Sequence, residues 1–423
     1  MTSLVRHRSL PRGARALAAA LTLAGAPLAG APLAAQTSRA APAAFTPAWR
    51  EFAAQFHRRM DEEGVVGGSI WFAHGGTVLG KEVHGFADLE TQRRVDENTI
   101  YHWASNTKTF TGIAIMQLRD RGRLTLDDPV VRYLPELRAV HNPFGSMEAI
   151  TIRHLMSHSS GFRSPTWPWG GDKPWHPHEP TQWAQLVAML PYTEVEFVPG
   201  SRYKYSNPGI VFLGMIVEQL SGDDYEVYVD KNILKPLGMH RTYFDVTPYH
   251  LLRHRSNNYT VTDGRPVANG LDFDTGITTS NGGLNAPIPD MVRYVSFLAG
   301  SGDTTLYAEV LRRSSLEEMW RTVVPVQPTD AGGTPAADAW KTSLGLTFFL
   351  FERGDTKMIG HTGGQKSFVT YLYVDPVSRA TAIGAFNTTG NPKPNMRNVI
   401  DRAQLFDRIF PLFRGPRMNA GGE

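Results

Sequence analysis

Three short motifs, in order along the chain, carry side chains suited to acyl transfer. Ser105-Asn106-Thr107-Lys108 opens an apolar helical stretch. Tyr205-Ser206-Asn207 lies midway, and His361-Thr362-Gly363-Gly364 comes near the C-terminus between strand-like runs. A serine hydroxyl can serve as nucleophile, a lysine amine as base, a tyrosine as proton carrier and a Gly-rich backbone edge as a cradle for an oxyanion. Such a set needs no metal and no cofactor.

The spacing of the first motif has a physical meaning. On a helix, residues i and i+3 share a face, so the Lys108 amine can reach the Ser105 hydroxyl. A serine that only caps a helix is better served by Glu or Gln at the fourth position. Here that position holds a lysine, whose charge opposes the helix dipole. The same field favours the neutral amine that a general base requires. The Ser105 N–H, at the helix start, can act as an oxyanion donor. The S-x-x-K spacing recurs at Ser201–Lys204, after Pro199-Gly200 and before an extended stretch. Its two side chains need not share a face, and we read it as coincidental.

Tyr205 and Asn207 flank Ser206 in a segment read as extended and stopped by Pro208-Gly209. At period 2 they point to one side, so Tyr205 could relay a proton while Asn207 holds Lys108 and a substrate carbonyl. A buried Tyr and a turn Asn would look the same. His361 is read as closing a strand-like run, Lys357–Gly360, with Thr362 and Gly363 beside the substrate and the Gly364 N–H as second oxyanion donor. His74-Gly75-Gly76 matches H-x-G equally well, so this motif is weak alone. There is no G-x-S-x-G, H-E-x-x-H or P-loop. His176-Pro177-His178-Glu179 could ligate a metal, but a Pro-rich solvated loop explains it better.

The 423 residues, 41% hydrophobic and 20% charged, are enough for one large domain with a sizeable core. Residues 1–35 combine Arg6, Arg8, Arg12 and Arg15 with a short Ala/Leu run and small residues ending at Ala35. They read as a signal peptide for export to the periplasm or medium. The apolar run is short of the ~20 residues that a membrane span needs, so no span is expected once the signal is removed. The chain's formal +3 becomes −1 without those four arginines, which gives no support for nucleic-acid binding. With no cysteine, disulfides and thiol chemistry are excluded. The expected partner is a small-molecule or peptide substrate.

The elements that must position the motifs follow from periodicity. Residues 36–45 read as a linker and 46–415 as the domain. Thr46 to about Glu63 reads as a helix with Thr46 as N-cap. Gly68–Ala73 and Thr77–His84 read as a hairpin, and Ala104 to about Arg121 as a helix. The segment from about 124 to 340 mixes helices with loops, including the Pro/Gly/Trp-rich Ser164–Pro180. From 344 onward strands return (344–352, 357–360, 367–374, 380–386), followed by an amphipathic helix over about 396–410. The economical packing is a mixed α/β (α+β) fold. One mainly antiparallel sheet joins both strand groups, terminal helices cover one face, and the helical insertion covers the other.

The ordered set Ser-x-x-Lys, Tyr-x-Asn, His-x-Gly resembles the serine β-lactamase and penicillin-binding-protein superfamily, in its class C β-lactamase-like branch. Leu124–Pro135 is similar to the branch's L-x-L-D-D-P-V-x-x-Y-L-P, and Ile152–Phe162 to its L-L-x-H-T-S-G-L. Pro199–Gly214 carries P-G-x-x-x-x-Y-S-N. Ser280–Leu298 is similar to its S-x-G-G-L helix entry, and Gly360–Phe368 to G-H-T-G-G-x-x-G-F. The similarity covers about residues 46–390. It implies a β-lactamase/transpeptidase-like fold with the site between sheet and helical subdomain. It also implies Ser105 as nucleophile, Lys108 and Tyr205 as the base pair, Asn207 as positioner, and Ser105 and Gly364 amides as the oxyanion hole. His361 stands where penicillinases of the branch carry Lys; histidine there is a feature of its D-amino-acid peptidases and esterases. Ser367 departs from the usual Gly. These features imply a serine hydrolase acting on esters, amides or D-amino-acid peptides. A true β-lactamase and a non-turning-over penicillin sensor are the alternatives. With an ordinary histidine pKa of about 6.5, His361 would bind carboxylate-bearing substrates better as pH falls toward 6.

Overall fold

The computed structural model describes residues 41–162, 180–271, 274–326, 339–400 and 402–414. The proposed signal peptide, the Trp-rich loop and the His176–Glu179 cluster therefore lie outside the described residues. The central feature is a nine-stranded sheet: β1 Gly67–His74, β2 Thr77–Asp88, β3 Arg93–Arg94, β4 Val324–Pro325, β5 Lys341–Leu344, β6 Phe349–Arg353, β7 Thr356–Gln365, β8 Phe368–Asp375 and β9 Ala380–Phe386. Their order is β3-β2-β1-β9-β8-β7-β6-β5-β4, with every pairing antiparallel. The two strand groups meet at β1 and β9, in register from Gly68↔Phe386 to His74↔Ala380. The insertion thus interrupts the sheet in sequence and not in space.

Period-2 alternation divides the core. Ile70, Phe72, Tyr371 and Tyr373 face one layer, whereas Trp71, Ala73, Leu372 and Val374 face the other. On the first face lies α1, Phe45–Glu63, whose Phe45, Trp49, Phe52, Phe56 and Met60 recur at helical spacing and are all buried. Short helical turns between Met396 and Phe413 complete that layer. The helix begins at Phe45, inside the expected linker. Ala44 occupies the N-cap without a side-chain bond, so Thr46 is not the cap. Burial decides this: the Phe45 ring lies 5.4 Å from both Phe72 and Phe413. The β1–β2 turn uses Gly75 and Gly76 at φ 57° and 83°, the left-handed pair a two-residue hairpin favours.

The other face holds α2 (Thr107–Asp120), α3 (Asn207–Ser221) and α4 (Ile288–Ala299). Every residue of α2 from Thr107 to Leu118 is buried, so it runs through the middle of the protein. Two small three-stranded sheets complete the described strands: 100–102 with 284–287 and 243–244, and 388–390 with 259–262 and 265–268. They escaped the sequence reading because strands of two to four residues leave little periodicity. The expected strand 344–352 is two strands, β5 and β6, with a turn between them where Thr347 has φ 63°. Among the described residues no helix is long and apolar enough to cross a membrane.

Candidate active site

Ser105 lies in a tight turn, Ala104–Asn106, that feeds directly into α2. The residue before it, Ala104, is held at φ 46°, a region costly for a residue with a Cβ. Strain of this kind persists only where packing imposes it, and Ala104 is fully buried. The Lys108 Nζ lies 3.0 Å from Ser105 Oγ and donates to the Asn281 carbonyl at 2.8 Å. Lys108 is fully buried, and that burial pushes its pKa well below the usual lysine value. A neutral amine can donate to Asn281 while its lone pair faces the Ser105 hydroxyl.

Tyr205 approaches from the start of α3. A hydrogen bond joins its side chain to Ser105, and Lys108 Nζ sits 5.0 Å from its ring centroid. Burial pushes the phenol pKa up, so the resting tyrosine is protonated. Ser206 caps α3 by accepting the Gly209 N–H at 3.2 Å. Asn207 is therefore the first helical residue. Pro208 does not stop the segment but occupies the first turn, where its missing N–H costs nothing. The expected bond from Asn207 to Lys108 is replaced by the Asn281 carbonyl. Asn207 Oδ1 is buried and makes no hydrogen bond.

The third motif is inside a strand, not past its end: β7 runs through His361, Thr362, Gly363 and Gly364 to Gln365. Its pairing with β6 stops at Phe349↔Gly360, while its pairing with β8 continues to Gln365↔Phe368 across a two-residue turn. Hydrogen-bonded pairs alternate, so Gly363 and Gln365 bond to β8, and the Gly364 N–H faces the edge that β6 leaves open. That edge lies against the Ser105 turn. A Cβ on Gly363 would sit 2.3 Å from the Trp103 carbonyl oxygen, whereas one on Gly364 would meet nothing within 4 Å. Further bonds tie the turn to the neighbouring β8: Asn106 Nδ2 donates to Thr370 Oγ1 at 2.7 Å, and Thr370 Oγ1 to the Trp103 carbonyl at 3.0 Å. Gly363→Ala should force β7 away from the turn. We expect kcat to fall roughly 10²–10³-fold, the cost of losing one oxyanion donor, with little change in the far-UV circular dichroism spectrum.

His361 is 2% exposed, with its ring centroid 6.4 Å from Tyr205 and 5.2 Å from Phe349. Its Nδ1–H donates to the Thr362 carbonyl at 2.6 Å, leaving a bare, buried Nε2 without a hydrogen bond. Burial, and then the Lys108 charge, push its pKa down to about 3. The expected change of charge near pH 6 is thereby overturned. Two further histidines share this state: burial lowers His102 to about 4 and holds His158 well below the ordinary value. Below pH 6.5 the unfolded chain binds protons that these folded imidazoles refuse, so stability falls with pH down to the folded values. Each contributes about 1.4 kcal/mol per pH unit in that window. The melting temperature should drop steadily from pH 6.5 toward 4; a flat profile would contradict neutral burial.

Asn281, His158 and Asn106 were missed as contributors to the site. Asn281 acts through a backbone carbonyl, which has no sequence signature, although Ser280-Asn281-Gly282-Gly283 belongs to a motif already noticed. Lys204, of the second S-x-x-K copy, is ion-paired with Glu196. Among the described residues no group of three or more His, Asp or Glu side chains is arranged to hold a metal ion.

This arrangement coincides with a family relationship. The sequence model of the Beta-lactamase family matches residues 52–405, and the chain belongs to that family. Protein flp of Staphylococcus aureus (strain MW2) is 25% identical over 312 residues, 74% of this chain and 57% of flp; the match thus spans little more than half of that relative's length. The octameric penicillin-binding protein homologue from Pyrococcus abyssi superposes with a TM-score of 0.68 and 28% identity, over 86% of this chain and 77% of that one. A class C β-lactamase shares the fold with a TM-score of 0.67 and 18% identity, over 88% and 97% of the two chains.

Proposed function

We propose that this protein is a serine hydrolase working through an acyl-enzyme on Ser105. Its substrates are small esters and amides, or peptides ending in D-amino acids. The observation that carries the reading is the buried amine of Lys108, 3.0 Å from Ser105 Oγ with its pKa depressed. In acylation the amine takes the hydroxyl proton as Oγ attacks the substrate carbonyl. The oxyanion is met by the Ser105 and Gly364 N–H groups, and Tyr205 passes the proton to the leaving group as its bond to the carbonyl carbon breaks. Water then repeats the sequence to release the acid. Asn207 Oδ1 and Asn281 Nδ2 are both buried without a hydrogen bond; by the family resemblance Asn207 is the residue that positions the substrate.

Intact-mass spectrometry with a panel of esters, D-Ala-D-Ala peptides and penicillins tests the reading. A transient adduct of acyl mass with esters is expected. A permanent adduct with penicillin alone would favour the sensor alternative, and no adduct at all would refute the proposal.

His361 supports the preference against β-lactams. Its imidazole is buried and neutral, so the site offers no cation there to a substrate carboxylate. A hydrogen bond to a charged partner is worth about 1.5–3 kcal/mol, so kcat/KM for a small ester should exceed that for a penicillin by roughly 10–100-fold. Because His361 titrates near 3, the ratio should not change through this group between pH 5 and 8. His361→Lys should shift the ratio toward penicillins. A wild type that prefers penicillins would replace this reading with the β-lactamase one. We also propose export, from the composition of residues 1–35; N-terminal sequencing of secreted material should begin near Gln36.

A further inference from the structure

We infer that His158 is a positioning residue for Tyr205, gripping the chain on both sides of it. The inference rests on the acyl-enzyme reading for its kinetic consequences. Its structural content stands on its own. The His158 carbonyl accepts the Lys204 N–H at 2.9 Å, and its Nδ1 accepts the Ser206 N–H at 3.2 Å. One residue thus bonds the amides immediately before and after Tyr205. Its ring packs on the tyrosine ring, with centroids 4.4 Å apart and planes inclined by 35°. The next carbonyl, of Ser159, accepts the Gly200 N–H at 2.7 Å, so the same turn also fixes the base of the loop.

This double grip needs an unusual backbone. His158 is left-handed, at φ 51°, and 1% exposed. A β-carbon in that region is costly, and the cost persists because the surrounding contacts impose it.

The grip also needs one protonation state. An amide N–H only donates, so Nδ1 must be bare and the proton must sit on Nε2. A second proton would set N–H against N–H and break the Ser206 bond. The groups around the ring oppose that proton. Lys108 and His361 both disfavour it, after burial itself, and the neighbouring Tyr203 and Tyr205 rings offer no anion. Nε2 is buried without a hydrogen bond, a liability that natural cores avoid unless the group has a task.

The consequence is specific. Tyr205 must reach Ser105 with its hydroxyl, and its backbone is held on both sides by His158. Losing the Nδ1 acceptor should let Tyr205 drift without removing any group that reacts.

Two substitutions separate the acceptor from the ring. His158→Asn keeps an acceptor near the Nδ1 position and tolerates left-handed backbone; His158→Phe keeps a ring and no acceptor. We expect His158→Phe to lower kcat about 100-fold with KM little changed, the scale of a ~1 Å misplacement. His158→Asn should retain activity within about tenfold. In a Tyr205→Phe background, His158→Phe should cost less than about twofold, since no phenol remains to be placed. An equal cost in both backgrounds, or an Asn variant as poor as Phe, would overturn the assignment.

Imidazole ¹⁵N shifts of the wild type provide a test that needs neither variant to fold nor the enzyme to turn over. They should report the Nε2–H tautomer, unchanged from pH 5 to 8. An Nδ1–H tautomer or titration in that range would overturn the inference. A wild type that forms no acyl adduct while showing the expected tautomer would instead refute the acyl-enzyme reading and leave the grip in place.

Discussion

Ser105→Ala is expected to lose both turnover and any acyl adduct, a fall on the order of 10⁶-fold in kcat, as when a serine nucleophile is removed from a working set. The expectation follows from geometry. Ser105 is the hydroxyl 3.0 Å from the buried Lys108 amine, it is hydrogen-bonded to the Tyr205 side chain, and it is the middle residue of the turn that faces the open edge of β7. Alanine removes the attacking atom and little else, because the Asn281 carbonyl still holds Lys108. The fold should survive, and the melting temperature should stay close to that of the wild type. The result that would sink the assignment is an adduct in the variant that maps to Ser201. That would move the nucleophile to the second S-x-x-K copy, whose lysine the structure pairs with Glu196.

Lys108→Arg is expected to be nearly as damaging as Lys108→Ala, with kcat down by about 10²–10⁴-fold, the scale of losing a general base. Arginine keeps the positive charge and cannot give up its proton at working pH. The site gives that charge no relief. Lys108 is fully buried, and the hydrogen-bond partners shown for its amine are a hydroxyl and a carbonyl, with no carboxylate. A permanent cation there is therefore also costly to bury. Lys108→Met, close in length and uncharged, controls for that cost. It should melt near the wild-type temperature and be as inactive as the arginine variant. An arginine variant with more than about a tenth of wild-type kcat would show that Lys108 serves only as a cation.

Part of this site was legible before any coordinates. Ser105 and Lys108 are three residues apart on a helix, and helical geometry alone brings their side chains together. The buried face of α1 and the alternation of Ile70, Trp71 and Phe72 likewise follow from periods of 3.6 and 2. These are local regularities, and the backbone enforces them wherever the chain goes. The resemblance carried by the ordered motifs supplied the remaining partners across more than 250 residues of chain, which no local argument could do.

The tertiary structure decided what depends on neighbours distant in sequence. The division of 341–353 into two strands is one case: a Cβ on Gly345 would sit 2.1 Å from the Met319 carbonyl, a contact no window around Gly345 contains. The strand through His361–Gly364 is another, since its continuation is dictated by β8 on one edge and the Ser105 turn on the other. The choice of Asn281 rather than Asn207 as the partner of Lys108 rests on a backbone carbonyl, which every residue possesses. Above all, the charge of His361 could not be read from its type. An imidazole's pKa is a property of its surroundings, and burial beside Lys108 moves it from the ordinary 6.5 to about 3. The sequence by itself determined which groups are present and which share a helix or strand face, because those follow from covalent geometry. Only the folded chain decided which of them are desolvated, and so which protons they hold, because desolvation is set by every element packed around the site at once.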